Sequence, residues 1–283
     1  MSPALLSYVL LPLLSTLMFV VAFAVSRNRD PGAGMLVTLA ALTLIPLSVL
    51  GLRLEGGWDR GLGTILWAVL SATLLLFGFM GRLQKVSALS AVQYLDRLVL
   101  GFAALFSLAA FLSDWVAFHM VPLELEQYAL AMNWALVLHI VSSMIAYACA
   151  ALAAIAAVAV ILRSRSLKNL SDQKRDQVFT GRLPSLFEAD EILVLMLKAT
   201  AVVLLMGIAT GIYDNWLQTG ELLDFDHKTI LSLLSFAVIG LMLIVHSKVG
   251  IYGKRAVQGG LLMFMLISLG VPGVKLISWL LNE

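Results

Sequence analysis

The sequence predicts an all-α polytopic membrane protein with eight transmembrane helices and both termini extracytoplasmic. Three observations predict it. Of the 283 residues, 61% are hydrophobic and 13% charged, against about 25% charged in an average soluble domain. Apolar runs of about 20 residues recur along the whole chain, the length that carries an α-helix through a bilayer core of about 30 Å. Lys and Arg crowd into alternate connections, which sets orientation. The net charge of +2 carries no basic patch with interleaved aromatics, so no nucleic-acid partner is expected.

The runs are taken in order. Residues 4–26 have no basic stretch before them and read as a retained helix rather than a cleaved signal. Residues 35–54 and 62–80 follow. The fourth run, 98–113, is short, and residues 86–97 ahead of it suit the membrane surface. The fifth, 131–162, exceeds a perpendicular crossing and should tilt or project. Its alanines from Ala146 to Ala159 allow close helix contact. Cys149, the single cysteine, sits among them as a small packing residue and excludes an intrachain disulfide. The longest connection, 163–190, is polar and mixed in charge; 164–180 read as a mobile cytoplasmic loop. Pro184 suits the first turn of a short helix. The sixth run, 192–212, holds the small-xxx-small pair Gly207 and Gly211. The seventh is 229–249, and the eighth, 259–281, is interrupted by a proline kink at Pro272. The whole, 1–283, reads as one transmembrane bundle, with four helices in 1–130 and four in 131–283.

Connections after odd runs hold Arg27, Arg29, Arg82, Lys85, Arg97, the basic residues between Arg163 and Arg182, and Lys248, Lys254 and Arg255. Those after even runs hold only Arg53, Arg60 and Lys228, so odd connections are cytoplasmic. Asp114, Glu124, Glu126, Glu221, Asp224 and Asp226 then fall outside. Lys198 and Lys275 lie inside runs and are expected to snorkel. Trp58, Trp67, Trp115, Trp134, Trp216 and Trp279 all gather at the outer end. They form either an interfacial belt or an aromatic platform for a flat apolar ligand.

Histidine carries the candidate chemistry. His139 lies two turns inside the fifth run, with Ser142, Ser143 and Tyr147 on its side at helical spacing. An imidazole at that depth faces protein, as a packing residue or as a ligand. His119 follows Trp115 in the outer connection after the fourth run. His227 stands at the outer mouth of the seventh run, where it caps the helix or ligates, and His246 closes the same run beside Lys248, Lys254 and Arg255. Imidazole binds metals and haem iron. Two imidazoles from different helices hold one porphyrin from opposite sides, and His139 and His227 meet that requirement if the fifth and seventh helices are neighbours. Tryptophan faces then wall the ring, and Lys228, Arg53 or Arg60 pair with its propionates. No Gly-rich phosphate loop, no paired catalytic carboxylates within a run and no H-E-x-x-H motif appear.

Trp134, His139, Tyr147 and Ala148 in this order resemble the helix-opening histidine motif of the cytochrome c assembly proteins, the CcsA/CcmC-type haem handlers. Leu183-Pro184-Ser185-Leu186-Phe187-Glu188, Gly207-Ile208-Ala209-Thr210-Gly211, His227-Lys228-Thr229 and His246-x₃-Gly250-x₂-Gly253-Lys254-Arg255 resemble its short eight-helix YpjD/HemX-like inner membrane branch. The resemblance covers 131–281. It implies non-covalent, b-type haem handled within a bacterial inner membrane in support of cytochrome c maturation, with a membrane partner in the assembly machinery and no enzymatic activity of its own. By position it implies haem-ligand roles for His139 and His246, and it places His227 where the branch carries His-Lys-Thr. The tryptophan-rich WWD loop of the wider family is missing; Asp214-Asn215-Trp216-Leu217-Gln218 stands in its place. The alternatives are a cofactor-free accessory or regulatory subunit that scaffolds another membrane protein and, last, a transporter of metal ions or small solutes. The latter needs intramembrane carboxylates that the runs largely lack.

Overall fold

The computed structural model describes residues 6–26, 33–54, 61–83, 89, 91–120, 134–168, 183–220, 227–249 and 254–270. Among them are eight α-helices: α1 (Leu11–Ser26), α2 (Ala33–Leu54), α3 (Leu62–Arg82), α4 (Asp96–Met120), α5 (Trp134–Lys168), α6 (Leu186–Thr219), α7 (His227–Val249) and α8 (Lys254–Ser268). A π-turn, Leu6–Leu10, leads into α1, and a 3₁₀ turn, Val92–Leu95, leads into α4. Six helices are long and apolar enough to cross a membrane; shorter apolar helical stretches lie at Leu42–Gly51 and Ala256–Ser268. The chain is a multi-pass, all-helical membrane protein.

It divides into two compact units, one of residues 1–78 and 96–132, the other of 79–95 and 133–283. In the first, α1 packs against α4 and α2. Polar side chains on these apolar helices turn back to their own backbones. Thr16 Oγ1 donates to the Pro12 carbonyl at 2.9 Å and reaches the Ser107 carbonyl of α4 at 3.1 Å. Such bonds remove hydroxyls from a medium that offers no water.

A charged node closes one end of this unit. Arg53 at the end of α2 meets Asp114 of α4 in a bidentate ion pair, Nη1 to Oδ1 at 3.0 Å and Nη2 to Oδ2 at 2.7 Å. Trp67 Nε1 donates to the same carboxylate at 2.8 Å, and Arg53 Nη1 also donates to Thr64 Oγ1 at 3.0 Å. The guanidinium lies 4.5 Å over the ring of Tyr8. This arrangement corrects three expectations. Asp114 is buried within α4 rather than lying in a connection. Trp67 is fully buried and is no ligand wall. Arg53 is committed to Asp114 and not offered to a propionate. The fourth helix accordingly runs well past residue 113, because the Asp114 carboxylate is neutralised inside the unit.

The second unit is built around α5. The alanines that crowd its middle are buried on every side, so α5 is wrapped by neighbours rather than amphipathic. Small side chains bring α6 close along its length and α8 onto another face. α7 packs against α6 and α8. Helix α5 extends to Lys168, so Ser164 begins no loop; residues 169–182 lie outside the described ones. Pro184 starts no separate helix. It precedes Ser185, which caps one continuous helix from Leu186 to Thr219. The Ser185 hydroxyl accepts the Glu188 N–H at 3.2 Å, and the Glu188 carboxylate accepts the Ser185 N–H at 2.8 Å. This capping box satisfies two donors that a helix start leaves open. At the other end Gly220 takes the left-handed conformation, φ 77°, and its N–H bonds the Trp216 carbonyl at 2.9 Å. Of residues 86–97, the described Val92 and Leu95 are buried, and Asp96 and Arg97 already open α4.

Candidate functional site

His139 sits in the second turn of α5 and points at α6. The approach depends on Gly207 and Gly211, one turn apart on α6. A Cβ on Gly211 would stand 2.9 Å from both Cε1 and Nδ1 of His139, and one on Gly207 would stand 3.3 Å from Ser142 Oγ. The pair that the sequence offers as a helix-packing motif is therefore also the socket for the imidazole. His139 Nδ1 lies 2.8 Å from the Gly207 carbonyl oxygen. A carbonyl only accepts, so Nδ1 carries the hydrogen and Nε2 keeps the lone pair. Among the described residues no hydrogen bond to Nε2 is present. Ser142 does not serve the imidazole; its hydroxyl returns to the carbonyls of Leu138 at 2.7 Å and His139 at 3.1 Å.

An aromatic row borders this end of the α5–α6 pair. Trp134 packs on Tyr213 with centroids 5.3 Å apart, and Tyr213 on Trp216 at 6.0 Å. All three are exposed, Trp134 by 61%. Asp214, between them in sequence, is buried and accepts from Gln218 Nε2 at 2.8 Å. Tyr213 is absent from the residues that the sequence singles out. Its signal is there: it precedes Trp216 by three residues, and antiparallel pairing of the two helices brings it to Trp134.

The remaining predicted residues scatter. Tyr147 lies two turns further along α5, about 12 Å from His139 at 1.5 Å per residue. It is buried and meets the edge of Phe264 on α8, with centroids 6.3 Å apart. His246 is at the far end of α7. It lines a cavity of about 190 Å³ with Val194, Leu197, Met242 and Ala256. Leu197 and Gly207 are ten residues apart on α6, about 15 Å along it; His246 and His139 are thus at opposite ends and cannot share one iron. His227 and Lys228 begin α7, at the end of the unit where α6 finishes and α5 starts; their side chains lie outside the described residues. Among the described residues α5 and α7 are not among the closely packed helix pairs, so they are not the neighbours that the sequence reading required; each packs against α6 and α8. His119 and Trp115 belong to the other unit and lie on α4, not in a connection. There the imidazole stacks on Trp115, centroids 4.2 Å apart, with Nδ1 2.8 Å from the Trp115 carbonyl. Trp58, Trp279, Arg60 and Lys275 lie outside the described residues, and Lys198 is exposed on α6.

No group of three or more His, Cys, Asp or Glu among the described residues could hold a metal ion. Haem asks less of the protein, because the porphyrin supplies the equatorial donors and the chain only axial ones. A half-buried imidazole with a fixed tautomer and a neighbouring aromatic row fit that requirement.

With this geometry in place, the comparisons identify the class. Residues 60–281 match the Cytochrome C assembly protein family, and the chain belongs to that family. The match begins at α3 and so takes in two helices ahead of residue 131. An uncharacterized 28.8 kDa protein of Azospirillum brasilense, encoded in a nifR3-like 5′ region, is 34% identical over 226 residues, covering 80% of this chain and 78% of that protein. No solved structure matches the chain. Family membership supports a role in cytochrome c maturation, carried out by maturation factors rather than conventional enzymes.

Proposed function

We propose that this protein binds haem at the extracytoplasmic rim of a bacterial inner membrane and handles it in support of cytochrome c maturation, without being an enzyme itself. The observation that carries the reading is the hydrogen bond from His139 Nδ1 to the Gly207 carbonyl at 2.8 Å, which leaves Nε2 as a lone-pair donor. Metal-bound histidines typically donate their other N–H in this way, which fixes the ring and raises its basicity. His139 and His227 are the axial pair in this reading. The expectation that α5 and α7 are direct neighbours is not met; each packs instead on α6 and α8, so the pairing of His139 with His227 rests on His227 reaching the same end of the unit. Trp134, Tyr213 and Trp216 supply apolar wall, and Lys228 a partner for a propionate.

Haem, if bound, would supply an iron centre that the neutral imidazoles of His139 and His227 would hold. The chain binds and orients it: burial of the macrocycle beside the aromatic row gives affinity, and the imidazoles give register. The same reading assigns eight membrane crossings with both termini outside, non-covalent b-type haem, a membrane partner in the assembly machinery, and the short YpjD/HemX-like branch. The test is absorption spectroscopy on protein purified from haem-replete cells. A Soret band is expected in the wild type and lost in His139→Ala/His227→Ala. A wild type without the band, or a double variant that keeps it unchanged, overturns the reading.

A further inference from the structure

Haem ligation by His139 still leaves open what holds the imidazole and sets its strength as a donor. The Gly207 carbonyl is unusually crowded. In a continuous helix it accepts the N–H of Gly211 four residues on. It also accepts the Thr210 hydroxyl at 3.1 Å and His139 Nδ1–H at 2.8 Å. Two N–H donors thus converge on an oxygen with two lone pairs, and the single Thr210 hydroxyl hydrogen is shared between that oxygen and the Met206 carbonyl. Thr210 is not bound to that oxygen alone; its hydroxyl reaches the Met206 carbonyl at 2.8 Å as well. The imidazole gets to the carbonyl only because Gly211 has no side chain. A Cβ there would lie 2.9 Å from Nδ1 and Cε1, closer than such contacts allow.

We propose that Gly211 and Thr210 are positioning residues for His139: Gly211 opens the path to the Gly207 carbonyl, and Thr210 competes for that oxygen and so sets how much electron density His139 offers through Nε2. The proposal rests on the haem reading for its function, but its geometry belongs to the chain alone. A stronger Nδ1–H bond makes the ligand more basic and favours the ferric state. Removal of the Thr210 hydroxyl frees the carbonyl for His139 and lowers the midpoint potential. Neither residue is catalytic, and Thr210 acts only through Gly207.

The test has two arms. In haem-free full-length protein labelled with ¹⁵N-histidine, magnetic resonance reads the tautomer of His139, assigned by loss of its signals in His139→Gln. The neutral Nδ1–H form is expected in the wild type and its loss in Gly211→Ala. Gly240→Ala, on α7 where an added Cβ meets nothing within 4 Å, should leave it unchanged. An Nε2–H tautomer in the wild type overturns the proposal whether or not haem binds. In haem-loaded protein, Thr210→Val should shift the midpoint potential downward and Thr210→Ser should restore it. A Thr210→Val potential equal to wild type overturns the role of Thr210, and it does so even if Gly211→Ala fails to fold. Absence of a Soret band sinks the haem reading instead, while the tautomer still decides whether Gly211 and the Gly207 carbonyl position the ring.

Discussion

The two units each bury polar side chains, and they treat them oppositely. In the first, the Asp114 carboxylate accepts from Arg53 Nη1, Arg53 Nη2 and Trp67 Nε1, all within 3.0 Å. In the second, His139 has one ring nitrogen matched at 2.8 Å and the other without a hydrogen bond among the described residues. A charge pair inside an apolar bundle persists when its geometry is good and its remaining hydrogen bonds are filled. The Asp114 carboxylate, with three donors on its two oxygens, makes the Arg53–Asp114 node a structural clamp among α2, α3 and α4. An imidazole with one satisfied nitrogen is held rigidly and still has a lone pair to give. The contrast teaches where to look for ligands in a membrane bundle: at the partly matched polar group, not at the most highly charged one.

The largest effect that would break this comparison is expected at Asp114. Asp114→Ala leaves the fully buried Arg53 guanidinium without its counter-charge, at a cost of about 3–5 kcal/mol. Thermal or denaturant unfolding in detergent micelles should show that loss, and haem bound per folded molecule should not fall. Arg53→Met/Asp114→Leu should recover most of the stability, since apolar replacement of both partners removes the buried charge. Equal loss of haem and stability in Asp114→Ala would mean the node is part of the ligand site. Trp67→Phe comes next. It keeps the buried ring and deletes one hydrogen bond to a carboxylate, worth about 1.5–3 kcal/mol. The same unfolding measurement checks it, and a change below about 0.5 kcal/mol would show that Arg53 alone holds Asp114.

Why the first unit was harder to read follows from these residues. The six long apolar helices among the described residues are legible because a bilayer demands length and apolarity from every crossing. Arg53 and Asp114 are 61 residues apart, and no periodicity connects them. Read along the chain, Asp114 ends a span; read in space, its charge is cancelled and α4 continues to Met120. Trp67 looks like a belt residue because its indole is polar at one edge, yet that edge is turned to a carboxylate. Helices α5 and α6 overrun their predicted ends for another reason: beyond the hydrocarbon, polar residues such as Arg163, Arg165 and Glu188 no longer separate helix from loop. His139 was visible as the one His, Lys, Arg, Asp or Glu in the run 131–162. Its partner was not, because a backbone carbonyl leaves no mark in a sequence and Gly207 and Gly211 read as packing alone.

The next prediction turns the comparison around at His139. Its hydrogen bond to the Gly207 carbonyl is neutral and partly exposed, so His139→Ala should cost about 0.5–1.5 kcal/mol of stability in haem-free protein. The same substitution should abolish most haem binding. Asp114→Ala and His139→Ala therefore form a crossed pair, the first losing stability with haem retained, the second losing haem with stability nearly retained. Unfolding curves and Soret absorbance on both variants read the cross directly. A loss above about 3 kcal/mol for haem-free His139→Ala would place His139 among the structural clamps and remove the distinction.

The smallest effect sharpens the comparison from outside both sites. Gly240 lies in the interior of α7, half-buried, with nothing within 4 Å of where a Cβ would stand. Glycine in a helix interior is disfavoured relative to alanine by about 0.8–1 kcal/mol. Gly240→Ala should therefore raise stability by up to that amount and leave haem content as it was. The substitution is chemically the same as Gly211→Ala, and both sit inside helices of the same unit. Opposite outcomes would then come from one difference, the imidazole that stands where the Gly211 methyl would go. If Gly240→Ala lowered stability or haem content, α7 would be in contact with something at that face, and loss of function in Gly211→Ala could no longer be assigned to His139.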